Sequence, residues 1–67
     1  MSNHPISYWR NLLVDRYFVY DEFMKENGKN MQVRVLGIDS YATMDYKPNR
    51  LNVVLDDNDV VVQVSYG

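Results

Sequence analysis

No cysteine occurs anywhere in this chain, and at 67 residues that absence narrows what can hold it together. Domains of this size bury a small core and are often stapled by disulfides or a structural metal. Neither a disulfide nor a cysteine-based zinc site is open to this sequence. The single histidine, His4, stands near the N-terminus, where a solvated tail residue is expected rather than a metal ligand. Apolar packing must therefore build one domain over residues 1–67, with residues 1–7 expected as a loose tail. The composition permits it: 46% of residues are hydrophobic, and six Tyr, two Phe and one Trp supply bulk. No cofactor is implied.

The formal net charge of −2 argues against nucleic acid as a partner, because that recognition needs a basic patch. No apolar run is long enough to cross a bilayer, so no membrane partner is expected either. Met1-Ser2-Asn3-His4-Pro5 lacks the basic start and apolar stretch of a secretory signal. The expectation is a soluble monomer, and the lack of cysteine fits a reducing compartment such as the cytoplasm.

The hydrophobic period changes once along the chain. Trp9, Leu12 and Leu13 look like an anchor for the N-terminal segment. Leu13, Tyr17, Tyr20 and Met24 are spaced four, three and four apart, which predicts one helix over about 16–27 with those residues on its buried face. Asp15 is the expected N-cap, and Asn27-Gly28 the stop signal. Phe18, Val19 and Phe23 widen the apolar surface into a broad core face; a dimer patch is the alternative. From Met31 the period is two. Val33 and Val35 predict a first strand, Leu51, Val53 and Leu55 a second, and Val60, Val62 and Val64 a third. Asp56-Asp57-Asn58-Asp59 between the last two is a turn, which makes them an antiparallel hairpin. Between the first two strands, Gly37 to Pro48 has little core pattern. Long loops are uncommon in small domains and are often functional.

That loop carries no evident reaction chemistry. Ser40 and Thr43 have no histidine near them to act as a base. Asp39, Asp45 and Asp56 are not completed by a Glu or His into an acid–base or metal set, and no glycine-rich phosphate loop is present. The chain is not expected to be an enzyme. Arg50 and Asn52, two apart on a strand, should project from the face opposite Leu51 and Val53. A guanidinium there is either an ordinary solvated charge or a tether for Thr43 and Asp45, displaying Met44 outward.

The chain resembles the potato inhibitor I family of serine protease inhibitors. Ala42-Thr43-Met44-Asp45-Tyr46-Lys47 looks like that family's reactive loop, at a matching distance from Trp9, and Leu51 to Gly67 looks like its closing strands and terminal glycine. Thr43-Met44-Asp45-Tyr46 with Pro48, Arg50, Leu51 and Asn52 looks still more like a mostly bacterial group of elastase-inhibitor-like relatives. The resemblance departs in three places. Asn52 stands where a second supporting arginine is usual, Ser65 replaces a basic residue, and Tyr66 replaces a cysteine of the bacterial relatives.

The resemblance implies an α+β fold, one helix packed on a small mixed sheet, with an exposed protease-binding loop between two parallel strands. It also implies substrate-like inhibition of subtilisin-, chymotrypsin- or elastase-like serine proteases. The reactive bond would be Met44–Asp45, within a binding loop of Tyr41, Ala42, Thr43, Met44, Asp45, Tyr46 and Lys47, with Arg50 and Asn52 supporting it. A non-inhibitory binding module using that loop or the aromatic helix surface is the alternative, and a loosened loop cut as a poor substrate is another.

Overall fold

The computed structural model describes residues 4–27, 31–39 and 47–67. Among them the order is α1 (Ile6–Leu13), α2 (Tyr20–Asn27), β1 (Gln32–Gly37), β2 (Arg50–Leu55) and β3 (Val61–Tyr66). Two short helices therefore replace the single one expected, within the same α+β class.

Helix α1 starts after Pro5, whose extended backbone (φ −63°, ψ 155°) leads into the first turn. Ile6, Trp9 and Leu13 recur at helical spacing and line its inner side; Trp9 and Leu13 are buried. The helix ends at Val14, whose backbone is extended (φ −63°, ψ 139°), and Asp15 then takes a left-handed conformation (φ 69°), which the short polar side chain of Asp tolerates. Asp15 thus closes a turn and is not the cap of a following helix. Residues 15–18 then run beside the start of β3, with Tyr17 bridged to Val60. The Asp15 N–H donates to the Val61 carbonyl (2.8 Å), the Val61 N–H to the Arg16 carbonyl (2.9 Å) and the Phe18 N–H to the Asp59 carbonyl (3.0 Å).

That pairing is why no helix runs through 16–19. It also corrects the expected stripe. Tyr17 is 77% exposed and Tyr20 is exposed too, while Phe18 and Phe23 enter the core. In α2, Asp21 and Glu22 in the first turn and Lys25 in the last complement the helix dipole. Asn27 ends it with its side-chain amide on the Phe23 carbonyl (2.9 Å); Gly28 lies outside the described residues.

The sheet has the order β1-β2-β3. β1 and β2 are parallel and in register, Gln32 opposite Arg50 and Arg34 opposite Asn52; β3 pairs antiparallel with β2. The turn 56–59 forms as expected. Asp56 accepts the N–H groups of Asn58 (2.8 Å) and Val60 (3.1 Å) on Oδ1, and Asp59 turns through φ 63°.

A register shift between Val54 and Leu55 corrects the reading of the last strand. Gln63 faces Val54 but Val61 faces Leu55, so Val62 is the extra residue of a β-bulge. The bulge changes which parity points inward: Val61 and Val64 are buried and Val62 is exposed. On the edge strand β1, Val33 is half-buried but Val35 is exposed, unlike the matched pair expected.

One apolar cluster joins these elements: Trp9, Leu13, Phe18, Phe23, Leu51, Val53, Val61 and Val64. The Phe23 ring packs between Trp9 and Phe18, with centroids 5.5 and 5.3 Å away. Val53 therefore shares its core with Phe23 and Phe18, with Met24 partly buried at the margin and Tyr20 outside. The loose tail does not extend to residues 4–7. His4 stacks on Tyr8 (centroids 4.0 Å), and Ile6 and Ser7 are helical. The Tyr66 hydroxyl donates to the His4 carbonyl and accepts the Trp9 indole N–H (2.7 Å), fastening the start of the chain to β3.

Candidate functional site

Strand β2 is buried on both faces. Leu51 and Val53 face the apolar cluster, and the alternation of a strand sends Arg50 and Asn52 to the opposite side. There they are only 9% and 6% exposed. A guanidinium and an amide so withdrawn from water need partners, because an unsatisfied buried polar group costs about 1–3 kcal/mol and a charge more.

The partners converge on Gly67. Its N–H donates to the Arg50 carbonyl (3.0 Å), laying it alongside the start of β2. Its main-chain oxygen then accepts Arg50 Nε (2.9 Å) and Asn52 Nδ2 (3.0 Å) together. Gly67 has φ 151°, a backbone region that a side chain would disfavour, so glycine suits this approach. The other side of the Asn52 amide, Oδ1, accepts Arg34 Nε at 2.9 Å. Arg34 stands directly opposite Asn52 in the parallel ladder. The result is one continuous chain of hydrogen bonds, Arg34–Asn52–Gly67–Arg50, across two strands and the last residue. Among the described residues no buried side-chain nitrogen or oxygen lacks a partner.

Arg50 puts one end of this network at the point where the connection from β1 enters β2. Because the two strands are parallel and in register, residues 38–49 must return about 17 Å, the length of a six-residue strand at 3.3 Å per step. Both ends of the connection are fixed to β2: the Ile38 N–H donates to the Leu55 carbonyl (3.0 Å) and the Arg50 N–H to the Lys47 carbonyl (2.9 Å). Lys47, Pro48 and Asn49 are exposed, as are Ile38 and Asp39. Tyr41, Ala42, Thr43, Met44, Asp45 and Tyr46 lie outside the described residues, and so do the expected contacts of Arg50 with Thr43 and Asp45.

Of the expected site residues, the structure thus brings Arg50 and Asn52 together and puts Lys47 at the root of the connection. Sequence reasoning missed Arg34 and Gly67 as members. The signal for Arg34 was its position: it is the third residue of β1 as Asn52 is of β2, so an in-register parallel pair makes them neighbours. Among the described residues no cluster of three or more His, Asp or Glu is placed to hold a metal ion.

The described residues thus form a small α+β frame, with a parallel strand pair whose connection is hydrogen-bonded to β2 at both ends and a face that carries Arg34, Asn52 and Arg50. A sequence model of the potato inhibitor I family matches residues 20–64, more than half of the chain, and the chain belongs to that family. It is accordingly a protease inhibitor and not an enzyme. Among solved structures it is similar to "elastase inhibitor AFUEI (crystal form II)", with a TM-score of 0.74 and 21% identity over 91% of this chain and 87% of that one. At that identity the likeness is one of fold. No curated protein matches the chain.

Proposed function

We propose that this protein inhibits serine proteases of the subtilisin, chymotrypsin or elastase type by inserting a substrate-like loop into the active-site cleft. The loop is Tyr41 to Lys47, and the reactive bond is Met44–Asp45. In this reading the loop enters as an extended segment and pairs its backbone with the edge of the protease. A loop already ordered loses little conformational entropy on binding, which favours tight association. After cleavage the new ends stay in place, so the bond re-forms and net hydrolysis is slow.

The observation that supports this reading is the buried Arg50–Gly67–Asn52 contact at the root of the connection, in a chain of an inhibitor family. A charged side chain withdrawn from water and satisfied by main-chain oxygen gives the loop a fixed base. Met44 is long, apolar and adaptable, and suits a hydrophobic primary pocket. A pocket with a buried acid would leave that charge without a partner against Met44, so trypsin should be inhibited poorly.

The test is titration of subtilisin, chymotrypsin, elastase and trypsin with the protein. At least one of the first three should be inhibited at least about tenfold more tightly than trypsin, a difference of 1.4 kcal/mol, and Met44→Lys should move the preference towards trypsin. Equal inhibition of trypsin and subtilisin by the unmodified chain would remove Met44 from the primary pocket.

A further inference from the structure

Tyr66 stands where the two faces of the sheet meet. In the antiparallel ladder it lies opposite Leu51, which is fully buried, so its side chain is on the core side and packs against the apolar cluster. One residue on, Gly67 belongs to the other side. Its N–H and main-chain oxygen engage Arg50 and Asn52. Two adjacent residues, joined by one planar peptide, therefore carry a core-side contact and a polar-face contact.

The core-side contact is the Tyr66 hydroxyl, a group that can donate one hydrogen bond and accept others. It accepts the Trp9 indole N–H at 2.7 Å and donates to the His4 carbonyl. Trp9 is 3% exposed, so an indole donor left unmet there would be costly. His4 is held a second time by its ring, which stacks on Tyr8 and meets Trp9 edge-on with centroids 5.5 Å apart. The Tyr8 N–H in turn donates to the Pro5 carbonyl (3.0 Å) in the first turn of α1. Among residues 4–8 only Ile6 packs against the apolar cluster, so this segment depends on the hydroxyl more than on burial.

We propose that the Tyr66 hydroxyl is a latch coupling the two faces of the molecule: residues 4–8 and Tyr66–Gly67 open and close as one unit, short of global unfolding, and opening it takes Gly67 off Arg50 and Asn52. Proteins open locally in such cooperative units, and the least buried segments open first. Here the unit joins segments far apart in sequence, since Trp9 and Tyr66 are separated by 57 positions. The coupling is reciprocal: whatever captures or displaces residues 4–8 loosens the polar face, and whatever fixes Gly67 steadies the start of α1. It is a property of the frame and does not depend on which protease the protein meets.

Native-state hydrogen exchange of the unmodified protein in increasing urea reads the latch directly. The Trp9 indole N–H and the Gly67 amide should exchange through one opening, with the same free energy and urea dependence. The amide of Val53, on the central strand, should require a larger opening. Different openings for Trp9 and Gly67 would overturn the proposal. So would both merging with Val53, since the unit would then be the whole fold.

Tyr66→Phe removes the hydroxyl and keeps the ring. It should speed exchange of both reporter protons by about five- to tenfold, the scale of one shielded hydrogen bond. The Val60 N–H, held by Asp56 Oδ1, should be unchanged. A folded Tyr66→Phe with no acceleration at Gly67 would overturn the coupling, because the hydroxyl would then serve the core side alone. If Tyr66→Phe does not fold, the exchange of the unmodified protein decides by the criteria already given.

Discussion

Arg50 and Gly67 carry the tightest constraint at the scale of single residues. The Gly67 oxygen takes two donors at 2.9 and 3.0 Å, one of them a guanidinium. Hydrogen bonds to a charged group contribute about 1.5–3 kcal/mol when shielded. Arg50→Ala removes one and leaves Asn52 as the other donor to that oxygen. We expect inhibition to weaken by about one to two powers of ten, with faster cleavage at Met44, and we expect a stability loss of roughly 1–2 kcal/mol. Inhibition kinetics and urea unfolding of the same preparation check the two effects separately. A stability loss with no change in inhibition would make the Arg50–Gly67 contact a feature of the fold alone. Arg50 and Asn52 were legible in the sequence because strand alternation is local: two residues apart means one face. Arg34 and Gly67 were not, because nothing local says which residue of another strand, or of the chain's end, will lie beside them.

Elements were legible wherever period alone decides. The shift to alternation after Met31, the Asp56–Asp59 turn and the apolar sets on either side of that turn all marked strands where strands exist. What failed was parity and continuity. The spacing of Leu13, Tyr17, Tyr20 and Met24 spans two helices and the segment between them, held open by pairing with β3. The helical spacing of Ile6, Trp9 and Leu13 after Pro5 was present in the sequence but too short to stand out.

In β3 the bulge reverses inside and outside at Val62, and no residue there announces it. Two substitutions separate these readings. Val53 is fully buried, so Val53→Ala should cost about 2 kcal/mol or more through the cavity it leaves. Val62 is 43% exposed, and Val62→Ala should cost less than about 1 kcal/mol, mostly lost strand preference. Urea midpoints of the two variants should differ clearly; equal losses would mean the bulge is misplaced and Val62 points inward.

For the molecule as a whole, the core and the polar face divide the work. The apolar cluster on one side of β2 makes a frame without a disulfide, and in a domain this small the total stability is only several kcal/mol. The hydrogen-bonded chain on the other side ties β1, β2 and the last residue into the base from which the connection leaves. In the proposed reading, frame and base together support a substrate-like loop against the enzyme that it blocks. Membership of the potato inhibitor I family makes the chain a protease inhibitor; the proposed reactive bond is open to a direct chemical test. The decisive experiment is a long incubation with a catalytic amount of an inhibited protease, followed by mass spectrometry of the products. One principal nick between Met44 and Asp45, accumulating slowly while inhibition persists, is the predicted result; a first cut at Tyr41 or Tyr46, or rapid complete digestion, would contradict it.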